Sequence, residues 1–386
     1  MRILAVDVGT GTQDILLFDS AQPVENALQL IMPSPTQIAA GRIRRATQAR
    51  RPVFLTGSIA GGGPCHWALE DHLRAGLPAY ATADAARTFD DDLDAVQRMG
   101  VTLVSEDEAP SLDGDRIELR DLDLAAIRAA LAAFDVDTRF DGLALGCLDH
   151  GAAPPGYSDR LFRFDHLRRV VETRNDLRAF ALLPDELPDY LTRARALVAA
   201  ADPDVPTVFL DTGPAAALGA LQDPLVGCRD EQIVLNLGNM HALAFHLRGA
   251  RIVSLYEHHT GEVTAQQLED FTARLIAGTL RHEDIFDSKG HGVYYAESAL
   301  TPGPSPAERE RGGPPQAGRG EGPLIAVTGP QRGKLRGSTL DPYFAVPHGD
   351  MMVSGCFGLL WAFAEKHPAH RDEILSALGV EQAAIP

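Results

Sequence analysis

Asp7-Val8-Gly9-Thr10-Gly11-Thr12-Gln13-Asp14 is the stretch on which the fold turns. Before it, residues 2–8 (RILAVDV) are apolar and rich in β-branched side chains, and read as a buried strand. After it, residues 14–19 (DILLFD) read as a second strand, which makes a β-hairpin with a Gly/Thr tip. Such a tip offers several backbone N–H groups and hydroxyls to one anion. Asp7, at the end of the first strand, can hold a hydrated Mg²⁺ that neutralises a polyphosphate. A plain turn with glycine at positive φ is the alternative reading. The pattern is not a P-loop, because it lacks Gly-Lys-Ser/Thr and joins two strands instead of a strand and a helix.

The same architecture returns some 230 residues later. Residues 233–247 again read strand, glycine turn, strand, with Asn236, Gly238, Asn239 and His241 around the turn, and 250–259 add a third strand. Two similar lobes facing each other would bring both tips onto one ligand.

Between these hairpins, residues 52–57 read as a strand that runs into a glycine-rich loop, Thr56–Pro64. Gly57, Ser58, Gly61, Gly62 and Gly63 are its candidate substrate contacts, since successive glycines let backbone approach a ligand closely. Helices are predicted at 64–76, 90–99, 123–134 and 264–280, and strands at 140–147, 206–211 and 324–328. Residues 150–190 mix a Pro-Pro pair, Arg clusters and short apolar runs, so about 150–203 is read as an insertion. Asp211 ends a strand just before the small-residue helix Ala215–Leu221. It could orient a water or accept a proton as a catalytic carboxylate, or simply cap that helix. Twelve of the 23 residues in 301–323 are Pro or Gly, which predicts a disordered insert. The expected organisation is a first lobe over 1–222 and a second over 223–386. His348 and Asp350 have a spacing that could contribute to a divalent-metal site. The other histidines of the C-terminal half, His258, His259, His282 and His291, read as surface or satisfied core groups, and Met351 and Met352 as core.

Composition bounds the function. The 386 residues suffice for two or three domains, and 45% hydrophobic with 23% charged residues is globular. Lys+Arg 35 against Asp+Glu 53 leaves a net charge of −18, which repels phosphate backbones and anionic lipid. Nucleic-acid and membrane partners are therefore not expected, whereas a nucleotide, held by amides and a metal and not by net charge, is compatible with this balance. The four cysteines, Cys65, Cys147, Cys228 and Cys356, stand far apart. That spacing suggests a reducing compartment, and no iron–sulfur cluster is expected. With no signal-peptide core and no 18-residue apolar run, a cytoplasmic protein is expected.

The order of these elements resembles the actin, sugar-kinase and heat-shock-chaperone superfamily. Residues 7–14 match its first phosphate motif and 236–241 its second. Residues 214–219 (PAAALG) and 355–358 look like its connecting helices, and 324–330 (LIAVTGP) like its adenosine motif. Several segments, among them DVGTGTQDILLFD, TGSIAGGGP, LDTGPAAALGAL and LNLGNMHALAF, resemble more narrowly a prokaryotic family labelled "putative pyruvate formate-lyase activating enzyme". The resemblance implies a two-lobed α/β fold of the actin-like ATPase (ribonuclease-H-like) type, with mixed sheets and a central cleft. It also implies ATP and Mg²⁺ as cofactors: Asp7 as metal ligand, Gly9, Thr10, Gly11, Thr12 and Asp14 in the first phosphate cradle, Asn236, Gly238, Asn239 and His241 in the second, and Gly329 near the adenosine. The activity implied is an ATPase or ATP-driven activator. The alternatives are a small-molecule kinase with Asp211 as base, and a non-catalytic binding protein or sensor. Three positions depart from the superfamily pattern: Asn236 stands where Asp is usual, His241 where Thr is usual, and Pro330 follows Gly329 and removes a backbone donor.

Overall fold

The computed structural model describes residues 1–108, 114–296 and 322–380. The insert predicted at 301–323 lies almost wholly outside the described residues. β1 (Arg2–Val8), β2 (Thr12–Asp19) and β3 (Leu28–Pro33) form an antiparallel meander. β4 (Val53–Gly57), β5 (Ala79–Ala81), β6 (Val101–Leu103) and β7 (Asp115–Leu119) then make a small sheet of their own, in the order β6-β5-β4-β7 and parallel throughout. The chain returns to the first sheet with β8 (Gly142–Cys147), β9 (Ala181–Leu182) and β10 (Thr207–Asp211), giving the order β3-β2-β1-β8-β10-β9. β8 lies parallel to β1 and β10 parallel to β8.

The second lobe repeats this plan. β11 (Glu231–Leu237), β12 (His241–Arg248) and β13 (Arg251–His259) form an antiparallel meander, and β14 (Gly292–Tyr295) pairs beyond β13. β15 (Leu324–Thr328) lies parallel to β11 and β16 (Tyr343–Phe344) parallel to β15. Five strands in each lobe thus share one order and one set of directions, three antiparallel followed by two parallel, and each sheet adds one edge strand. That duplicated mixed sheet is the ribonuclease-H-like plan of the two-lobed actin-like ATPase fold.

Two helices join the lobes. The connecting helix Thr212–Ala220 leaves β10 and reaches β11, while the closing helix Ser354–Lys366 comes back from the second lobe to cover β1, β8 and β10. The two helices are made almost wholly of small or apolar residues and are buried nearly all round. They cross at van der Waals distance because glycines stand at the crossing. A Cβ on Gly219 would land on the Ser354 carbonyl, and one on Gly358 on the Ala215 carbonyl.

The sheet of β4–β7 was not legible from sequence beyond its first strand. The region 150–203 supplies the helix Asp159–Thr173, the edge strand β9 and the helix Thr192–Ala199, which packs on β8 and β10. Among the described residues no helix is long and apolar enough to cross a membrane.

Candidate functional site

The two hairpin tips are closed in the same way. Gly9 N–H donates to the Thr12 carbonyl at 3.0 Å, and Gly238 N–H donates to the His241 carbonyl at 2.9 Å. They face each other so closely that a Cβ on Gly11 would strike the Asn239 amide. Each tip is pinned from behind. Ser34 donates from its hydroxyl to the Thr10 carbonyl (2.6 Å) and from its N–H to that of Gly11 (3.2 Å). Gln331 donates to Asn239 Oδ1 at 3.1 Å.

A cavity of about 390 Å³ opens between the tips. Of the residues singled out from sequence, Asp7, Gly9, Thr10, Thr12, Asp14, Asn236, Gly238, Asn239, His241 and Gly329 line it, as do Gly61, Gly62 and Gly63. Gly11, Gly57, Ser58 and Asp211 do not line it. Met351 and Met352 were expected in the core; both line the cavity instead, because the turn that carries them lies ahead of the buried closing helix.

Asp7 and Asp14 stand directly opposite each other in the β1–β2 ladder, so their side chains share a face. Asp7 is buried. Its Oδ1 accepts from the Thr212 hydroxyl at 2.8 Å, and Gly355 leaves its carboxylate the room that a Cβ would occupy. Burial above all, then the Asp14 charge, pushes the Asp7 carboxyl up to about 7, despite the Thr212 hydrogen bond. Burial likewise pushes Asp14 up to about 6. Among the described residues, Asp14 Oδ1 is buried without a hydrogen-bond partner.

The glycine-rich loop is anchored along its length. Gly61 N–H donates to Asp121 Oδ1 at 2.9 Å, and Asp121 Oδ2 accepts from Arg193 Nε at 2.6 Å. Thr36 Oγ1 donates to the Gly62 carbonyl at 2.5 Å, and Ala60 N–H donates to Thr88 Oγ1 at 3.0 Å. The loop ends against the first tip, where a Cβ on Gly63 would touch the Thr10 methyl at 3.4 Å. Gly57 and Ser58 serve its root: Ser58 N–H extends the β4–β7 ladder to the Leu119 carbonyl, which Gly57 clears only by lacking a Cβ.

Below the second tip lies a buried ionic cluster. Arg163 Nη1 and Nη2 donate to Asp211 Oδ2 (2.5 Å) and Oδ1 (3.0 Å), and its Nε donates to Glu257 Oε2 at 3.2 Å. Asp211 also accepts from Gly213 N–H at 3.1 Å, capping the connecting helix. Burial disfavours the charge on Glu257, but Arg163 first, then His291 and His241, outweigh it and hold that carboxyl well below its usual range. Four imidazoles surround this glutamate. Ring centres of His150, His241, His259 and His291 stand between 4.6 and 5.6 Å apart in five pairs. Burial, then neighbouring positive charge, holds His150 and His259 below the ordinary histidine range, His259 down to about 4.

His348 and Asp350 do not form a metal pair: His348 Nε2 meets Gln222 Oε1 at 2.9 Å, and Asp350 Oδ1 accepts from Met352 N–H. His258 contacts the His259 carbonyl and Ser288 Oγ. Sequence reading missed Arg163, Glu257, His150, Asp121, Arg193 and Thr212. For Glu257 a signal existed, since it lies two residues before His259 in a strand whose alternate side chains share a face.

Solved structures give weak global similarity. The chain is similar to the activator of the 2-hydroxyisocaproyl-CoA dehydratase from Clostridium difficile with bound ADPNP (10% identity, 96% of this chain and 98% of that one, TM-score 0.32). It is similar also to "Lmo2764 protein, a putative N-acetylmannosamine kinase" from Listeria monocytogenes (10%, 95% and 99%, 0.34). A third is the ethanolamine utilization protein EutJ from Carboxydothermus hydrogenoformans (12%, 94% and 89%, 0.28). No curated protein matches the chain. A family model matches residues 60–305, from within the glycine-rich loop through the connecting helix and the second hairpin, and the chain belongs to that family, "Putative pyruvate format-lyase activating enzyme (DUF1786)".

Proposed function

We propose that the cleft binds a nucleotide of the ATP class together with Mg²⁺, and that the protein acts in the cytoplasm as an ATPase or ATP-driven activator. The observation that carries this reading is the pair of tips, closed by equivalent hydrogen bonds and facing each other over one cavity that holds Asp7 and Asp14. Amides of the two tips other than those of Gly9 and Gly238, which close the turns, would receive phosphate oxygens, as N–H groups in concave turns do. The donor set suits a hydrated Mg²⁺. Asp14 Oδ1 is buried and unpartnered, and Asp7 faces it with a carboxyl whose charge burial disfavours. Bound there, Mg²⁺ supplies charge neutralisation at the phosphates. Asp7 and Asp14 would hold it, Thr212 would keep Asp7 oriented, and Gly329 would admit the nucleoside past Asn236. Gly61–Gly63 would contact a second ligand at the opposite wall.

Calorimetric titration with ATP, ADP and a non-hydrolysable ATP analogue, with and without Mg²⁺, tests the reading. Metal-dependent binding is the expected result, and a folded sample that binds none of the three overturns it. A second reading, a binding protein without turnover, is favoured by one observation: both oxygens of Asp211 are already held by Arg163, outside the cavity lining. A small-molecule kinase would need that carboxylate as its base. ATP turnover assayed with and without added metabolites separates the three.

A further inference from the structure

His150, His241 and His291 each offer a ring nitrogen, and the three nitrogens lie within 4.8 Å of one another. His291 is fully buried, and among the described residues neither of its ring nitrogens has a hydrogen-bond partner. Buried polar groups in folded proteins are nearly always satisfied, so an unpartnered buried imidazole with two further ring nitrogens beside it calls for a ligand.

We infer that His150, His241 and His291 form a binding site for a divalent transition-metal ion of the zinc class, set in the floor of the interlobe cavity. Three imidazoles are borderline-soft donors that suit Zn²⁺, Fe²⁺, Co²⁺ or Ni²⁺, whereas Mg²⁺ and Ca²⁺ take oxygen. Nitrogens bound at 2.0–2.1 Å around a tetrahedral ion stand roughly 3.4 Å apart, so modest side-chain adjustment closes the set. His241 opposes His259 in the β12–β13 ladder, and the His291 N–H donates to the Glu257 carbonyl at 2.9 Å, so backbone pairing fixes the second-lobe ligands. His150 comes from the first lobe. Its loop is held by Asp149, whose oxygens accept from Gly151 N–H (2.8 Å) and Ala194 N–H (2.9 Å). Glu257 Oε1 lies 3.5 Å from His241 Nδ1 and is anchored in turn by Arg163. That is the carboxylate–histidine arrangement that orients a metal-bound imidazole.

Three protein ligands leave a position open, as catalytic zinc sites do, and His150 and His241 line the cavity through which an ion, a water or an anionic oxygen would reach it. The site is distinct from the carboxylates Asp7 and Asp14, and does not rest on the nucleotide reading.

The test uses tag-free full-length protein, stripped with a chelator and checked for an unchanged melting temperature, then titrated with Co²⁺. One Co²⁺ per chain is expected, with the strong visible absorption of a low-coordinate nitrogen site, displaced by Zn²⁺ and not by Mg²⁺. His291→Ala should weaken binding by more than about 100-fold, beyond the 10–100-fold typical of losing an outer-shell partner. His150→Ala, on the cavity side, is the second variant should His291→Ala fail to fold. No absorption in folded wild type overturns the assignment, as does unchanged binding in the variants. Asp7→Asn separates the two sites. It should keep the Co²⁺ absorption, and its loss would put the metal at the carboxylates instead. Failure of ATP to bind leaves the histidine result standing.

Discussion

Arg163 holds both carboxylate oxygens of Asp211, at 2.5 and 3.0 Å, from a position with no solvent exposure. The same guanidinium serves Glu257, so one cation neutralises two buried anions that come from different lobes. Removing it leaves both uncompensated. Arg163→Ala should destabilise the protein by about 3–5 kcal/mol, the range for breaking a buried pair from one side. Urea unfolding measures this, and a loss under about 1 kcal/mol would show that water replaces the guanidinium.

Gly355 and Gly358 lie on one face of the closing helix, the first against the Asp7 carboxylate, the second against the Ala215 carbonyl. Each Gly→Ala change improves helix propensity by up to about 1 kcal/mol. The clash should win. Gly358→Ala is expected to lose about 1–3 kcal/mol net, because the obstacle is backbone and the helix must move. Gly355→Ala meets a side chain that can turn, so its main effect should fall on Asp7 and the cleft. Equal stability of Gly358→Ala and wild type in thermal unfolding would contradict the close crossing.

Asp7 should be required for metal-dependent nucleotide binding. Asp7→Asn keeps the shape and removes the charge, and should reduce nucleotide affinity in Mg²⁺ by tenfold or more, about 1.4 kcal/mol, with little change when Mg²⁺ is absent. Calorimetry on both proteins decides it, and equal affinities in Mg²⁺ would remove Asp7 from the site.

The raised carboxyls also set a pH dependence in metal-free protein. An unfolded aspartate titrates near 3.9, while folded Asp7 and Asp14 titrate at about 7 and about 6. Between those limits the folded chain binds more protons than the unfolded one. Their contribution is therefore complete below about pH 4 and is lost as pH rises toward 7. With a chelator present, wild type should lose more melting temperature between pH 5 and pH 8 than Asp7→Asn does. Parallel profiles for the two proteins would show that Asp7 is ionised throughout.

Much of this frame could be read directly from residues. The runs RILAVDV and QIVLNL stop at glycine turns, and such long buried strands leave a plain pattern. β5 and β6 have three residues each, too few for any period to register, and so the parallel sheet they help to build stayed hidden. The site divides in the same way. Asp7, Gly9 and Gly238 sit on local motifs, so their place at the cavity was legible. Arg163 looks like any other arginine in an arginine-rich stretch until the fold brings it to Asp211 and Glu257. His150, His241 and His291 are far apart in sequence, and only the antiparallel register of β12, β13 and β14 with the loop after β8 assembles them.

The closing helix Ser354–Lys366 covers β1, β8 and β10, strands from the opposite end of the chain. At a synthesis rate of about 5–20 residues per second, the apolar face of the first sheet waits tens of seconds for its cover while the rest of the polypeptide emerges from the ribosome. The earliest hairpin made is among the last to be sealed. An interruption of translation before residue 354 leaves that apolar face of the nascent chain without the helix that covers it.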